Sequence, residues 1–136
     1  MVSRIAMAML VASALLIGLA AQAQDTSSGV LLTAEDLKKL VEPSLLIAGR
    51  SVWAGTFFAN LFVRGGILYN MYTDDLGNGG PEKATWRLDG DKFCNTLHAY
   101  GGERCRHWYR LADGSYEARL VPGEKLDATF RIVNKP

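Results

Sequence analysis

The sequence predicts a mainly β fold, a curved antiparallel meander or small barrel of about seven strands preceded by one short N-terminal helix. Three observations carry that reading. From residue 51 onward apolar residues tend to recur at every second position, the period of a strand with one buried face. Turn signals (Gly65-Gly66, Asp89-Gly90, Gly101-Gly102, Asp113-Gly114 and Pro122-Gly123) divide those runs at the short intervals of a meander. Helical spacing together with a capping signature occurs only near residues 32–42.

The first element along the chain is not part of the fold. Met1 to Arg4 gives a positive start, residues 5–21 carry no charge, and the run closes on Ala21-Gln22-Ala23. Small residues at the two positions a signal peptidase reads make residues 1–23 a secretory signal peptide, cut after Ala23. The alternative is an uncleaved anchor, because the run approaches the roughly 20 residues that span a bilayer. Cleavage leaves no membrane span and removes Arg4, so the 15 basic and 14 acidic residues become balanced. A neutral chain is no general polyanion binder, and no nucleic-acid partner is expected. Residues 24–31 read as a flexible leader and residues 32–136 as a single β-rich domain, since 136 residues leave no room for a second core.

The domain opens with the helix. Thr33 is its N-cap, Asp36 completes a capping box, and Leu32 and Leu37 occupy the two staple positions. Leu37, Leu40 and Val41 share one face. Pro43 stops the helix at Glu42, residues 44–48 are expected to add a helical turn, and Gly49 is expected to follow it as the C′ residue. Trp53, Phe57, Leu61 and Val63 then share parity in a first strand run over 51–64, and Gly65-Gly66 turns into a second over 67–72. Residues 73–82 are almost devoid of apolar side chains and read as the longest loop. Strands over 85–88 (with Trp86), 93–97 and 105–111 come next. The last two alternate most cleanly: Tyr116, Ala118 and Leu120 oppose Glu117 and Arg119, while Leu126, Ala128, Phe130 and Ile132 face in and Asp127, Thr129 and Arg131 face out.

Two cysteines in an exported chain imply one disulfide, Cys94–Cys105. If the hairpin is centred between Ala99 and Tyr100 they lie directly opposite each other. If Gly101-Gly102 is the whole turn, Cys94 faces Tyr109 and a bridge needs an irregular loop, because the Cα atoms must come within about 7 Å. Cys94, His98, Cys105 and His107 also compose a zinc-type donor set, but without the usual Cys-Cys and His-His spacings. No metal and no cofactor are expected.

Arg104, Arg106, Trp108 and Arg110 share parity, so a regular strand is expected to show them to solvent as an Arg-Trp-Arg stripe. Arg and Trp are enriched at binding hot spots. The other reading of that stripe is an ordinary wetted sheet face with weak ion pairs to Glu117 and Asp127. The expected role is noncatalytic binding of an envelope protein, a polysaccharide or a small ligand. His107 and Tyr109, on the opposite parity, read as inner-face residues. With Trp86 they would surround an apolar ligand if the sheet closes into a barrel. A small periplasmic hydrolase using His107 and an acidic loop residue is the enzymatic alternative. It lacks a Gly-x-Ser-x-Gly elbow, and no residue is assigned a catalytic role.

The strand with Trp86 and Leu88, the Asp89-Gly90 turn, Cys94, a Gly-x-x-Cys ending at Cys105, an aromatic strand and the Asp113-Gly114 turn together resemble a family of small exported two-cysteine bacterial proteins classed as a domain of unknown function. The resemblance implies a secreted or periplasmic β domain and brings no catalytic residues.

Overall fold

The computed structural model describes residues 29–52, 55–97 and 101–135; residues 1–23, expected to be a signal peptide, and Trp53 and His98 lie outside the described residues. The elements run β1 (Val30–Leu31), α1 (Ala34–Val41), β2 (Ser44–Ser51), β3 (Phe57–Val63), β4 (Ile67–Thr73), β5 (Gly79–Asp89), β6 (Lys92–Asn95), β7 (Arg104–Arg110), β8 (Tyr116–Val121) and β9 (Leu126–Ile132). From β2 to β9 each strand pairs antiparallel with the next, and β9 pairs back to β2. The result is a closed eight-stranded up-and-down barrel, which removes the free edges an open sheet would expose. β1 extends the ladder on β7 beyond the end of β6, pairing Val30 with Arg110 and Leu31 with Tyr109.

The mainly β class with one short helix is therefore the observed one. The eight barrel strands agree with the expected number of about seven, and one segment is a correction. Residues 44–51 form β2, not a helical turn. Once Pro43 has stopped the helix, Leu45 and Ile47 are buried in alternation, and the segment gains ladders on both sides, with β3 and β9. Gly49 is no helix terminator but a contact point. A Cβ built there would lie 2.0 Å from the Thr129 carbonyl oxygen and 2.6 Å from Phe130 Cβ, so only glycine lets β2 and β9 close on each other.

A second correction concerns residues 73–82. The connection between β4 and β5 spans only residues 74–78, where Asp74 Oδ1 accepts hydrogen bonds from the backbone N–H groups of Leu76 and Asn78 at 2.9 and 2.8 Å. Gly79 to Glu82 already belong to β5. Along that stretch β5 pairs with β4, while β6 reaches only Trp86 to Asp89, so Pro81 costs no ladder bond on the β6 side.

The capping box forms as expected: Thr33 Oγ1 accepts from Asp36 N–H at 3.2 Å, and Asp36 accepts from Thr33 N–H at 2.9 Å. α1 packs against β2 and β5, covering the end of the barrel at which β2 begins. Leu32, Leu37 and Val41 enter the same core as Leu45, Leu68 and Phe93. Aromatic contacts fill the middle. Phe93 stacks on Trp108 at 4.3 Å and on Trp86 at 5.4 Å, while Phe62 and Phe130 meet these rings edge-on. Trp86 anchors its indole by donating to the Val63 carbonyl at 3.0 Å.

Cys94 lies opposite Cys105 and is bonded to it, the first of the two registers considered. Such a bridge belongs to an oxidising, non-cytoplasmic environment. Among the described residues no helix is long and apolar enough to cross a membrane.

Candidate functional site: the barrel interior

The face of β7 is inverted relative to the sequence expectation. Arg106 and Trp108 point into the barrel, 4% and 3% exposed. Trp108 lies opposite Ala118 and is wedged among Phe62, Phe93 and Phe130, so its apolar contacts set the inner parity of the strand. Leu111, the apolar residue that shares parity with His107 and Tyr109, falls beyond the end of β7. Arg104 is half-buried on the same parity, and Arg110, at the exposed end of the strand, places its guanidinium over the Tyr116 ring. No continuous Arg-Trp-Arg stripe faces solvent.

His107 and Tyr109 correspondingly lie outside. His107 Nδ1 is 2.5 Å from Glu124 Oε1 and Nε2 is 3.4 Å from Asp91, while the Tyr109 hydroxyl donates to Glu124 Oε2 at 2.9 Å. Partial burial and the bond to this carboxylate push the Tyr109 phenol above its usual range. Glu124 holds this cluster from a turn position with φ of 55°. The expected grouping of Trp86, His107 and Tyr109 is thus split, with Trp86 inside against Phe93 and the other two on the outer face. Both nitrogens of His107 face carboxylates rather than a hydroxyl or thiol. The two sulfurs of the zinc-type set are bonded to each other, and of its histidines His98 lies outside the described residues.

Inside the barrel lies a cavity of about 490 Å³. Its apolar wall is aromatic, formed by Phe58, Phe62, Phe93, Trp108 and Phe130. Ser51, Thr56, Tyr72, Pro81 and Leu97 line it toward the barrel end remote from α1. An eight-stranded barrel is just wide enough either to be filled by its own side chains or to hold one small ligand. Here Ala118, Ala128 and Ser51 stand where larger side chains would fill the space.

The polar lining has two parts. On one side Arg106 Nε and Asp127 Oδ2 form an ion pair at 2.5 Å, each side chain 5% exposed, and Arg106 Nη1 reaches Asn95 Oδ1 at 3.4 Å. Alternation along β9 predicts Asp127 facing out. A bulge reverses it: Ala118 pairs with Ala128 and Arg119 with Leu126, so Asp127 has no opposite number and turns inward beside Ala128. On the other side Asn60, Asn70 and Glu82 form a row across three adjacent strands, Asn60 opposite Asn70 and Asn70 opposite Glu82.

Sequence reasoning did not single out Asn60, Asn70 or Asn95; it placed Glu82 in a loop and Asp127 on the outer face as an ion-pair partner of the arginines. The asparagines did carry a signal. Asparagine is depleted in strands, yet each sits two positions from a buried Phe or Leu on the same face: Asn60 from Phe62, Asn70 from Leu68, Asn95 from Phe93. For Asp127 no local pattern announces the bulge.

Compared with protein-family models, with curated proteins and with solved structures, the chain gave no match in any of the three.

Proposed function

We propose that this is an exported, noncatalytic binding protein that holds one small, largely apolar molecule inside its barrel, in the periplasm or outside the cell. The observation that carries the reading is the cavity of about 490 Å³, aromatic on one side and set with a few polar side chains on the other. Volume and lining both match the usual anatomy of small-molecule pockets, roughly 300–1,000 Å³ and mostly apolar with few fixed polar groups. Trp108 offers a broad apolar surface, and Arg106, fixed by Asp127, offers oriented N–H groups. The disulfide and the signal-like residues 1–23 support export.

Titration with an uncharged, environment-sensitive fluorophore such as aminoanthracene tests this. The expected result is saturable uptake of one probe per chain, with a blue shift and quenching of tryptophan emission. Ala118→Phe and Ala128→Leu, made separately, should fill the space and abolish uptake while the fold persists by circular dichroism. Undiminished uptake by both folded variants would show that the probe binds elsewhere and overturn the reading.

A further inference from the structure

We infer that the cavity takes a ligand whose polar end is an uncharged carboxamide-type group (an amide, urea or lactam) on an apolar body; this rests on the cavity being a binding site. The charges of the lining are already balanced, although Asp127 Oδ1 has no hydrogen-bond donor. Arg106 and Asp127 are paired with each other, and Glu82 has a partner of its own. A carboxylate or ammonium head would therefore enter a space walled by aromatic rings without an uncommitted counter-charge, and an unpaired buried charge is strongly disfavoured.

Among the uncharged groups of the lining, what remains is the asparagine pair. Asn60 and Asn70 lie directly opposite each other, 7% and 5% exposed, and both line the cavity. Among the described residues neither side-chain amide has a hydrogen-bond partner in the protein, and Asn60 Oδ1 is a fully buried acceptor without a donor. Buried amides are normally satisfied, because leaving one unpaired forfeits its hydration with no return. Two adjacent ones on the wall of an aromatic cavity point to a partner from outside the chain. Each asparagine offers a carbonyl and an NH₂. The group that answers both at once is another amide, presenting a donor and an acceptor in one plane.

The test is displacement of aminoanthracene by octanamide, octanoic acid, octylamine and octanol, which share a body and differ in the head. Against the purified protein octanamide should bind at least about ten-fold tighter than the other three. In Asn60→Leu/Asn70→Leu, and in Asn70→Leu alone should the double variant not fold, that preference should fall below about two-fold while the probe still enters. An acid, amine or alcohol that matches octanamide overturns the inference, as does a preference that survives in a folded variant. A probe that never enters the wild-type cavity instead overturns the binding reading beneath it, so the two failures are distinguishable.

Discussion

Replacing Asp127 by asparagine removes one charge from an ion pair that the barrel has taken almost wholly out of water. The contact is 2.5 Å, with both side chains 5% exposed. With charge centres about 4 Å apart and an effective dielectric near 20, the attraction is about 4 kcal/mol. Measured losses on breaking a buried pair from one side are similar, about 3–5 kcal/mol, because the surviving charge keeps its desolvation cost. The neighbouring Asn95 Oδ1, at 3.4 Å from Arg106 Nη1, is too distant to substitute. Asp127→Asn should therefore lose about 3–4 kcal/mol out of a total that for small domains is roughly 5–15 kcal/mol. The thermal midpoint should fall by on the order of 10–20 °C. Urea unfolding followed by tryptophan fluorescence measures the loss, and an unchanged m-value would locate it in stability rather than in the compactness of either state. Arg106→Met/Asp127→Leu removes both charges at similar volume and should recover most of the deficit. A cost below about 1 kcal/mol for Asp127→Asn would mean that the pair is solvated through the cavity, and the buried-charge argument would fail.

Three further outcomes follow from the same geometry. Gly49→Ala should destabilise by about 1–3 kcal/mol or more, since its Cβ would lie 2.0 Å from the Thr129 oxygen; a wild-type melting temperature would contradict the close seam between β2 and β9. Cys94→Ala/Cys105→Ala should cost about 3 kcal/mol, and reduction of the wild type should lower its midpoint to the same value; no difference between the oxidised and reduced forms would refute a stabilising bridge. Hydrogen bonds from Thr33 hold the Asp36 carboxyl below the ordinary carboxylate range, as those from Asn78 and Ser115 do for Asp74 and Asp113 and the Arg87 guanidinium does for Glu103. Their folded pKa values are depressed, so the unfolded chain binds protons first. The stabilisation is complete above about pH 4–5 and is lost as pH falls through the still lower folded values; a melting temperature that rises on acidification would reverse this sign.

The parts of the fold that were legible in the sequence are those governed by neighbours in the chain. The capping box of Thr33 and Asp36 is a local bargain between two side chains and two N–H groups, and it forms as read. The Cys94–Cys105 register followed from hairpin symmetry together with the reach of a disulfide. β2 was hidden because Pro43 and Gly49 imitate helix punctuation, while its strand character comes from β3 and β9, one following it and one far away in sequence. The site was misread for a related reason. An arginine is ordinarily a solvent residue, and what allows Arg106 inside is an aspartate delivered by a bulge on a distant strand.

Closure of the barrel also orders its assembly in time. The seam joins Ile47 to Ile132, and just beyond it Asn134 acts as a clasp, accepting from Leu46 N–H at 2.8 Å and donating to the Ser44 carbonyl at 3.3 Å. Every other barrel pairing links strands consecutive in the chain and can form as a growing meander. This one must wait for the residues of β9. Until they arrive β2 presents an open edge, the template on which foreign strands aggregate, and such long-range closure slows folding. Trimming residues 126–135, of which only Asp127, Ala128 and Phe130 line the cavity, would leave an unsealed sheet in place of a vessel.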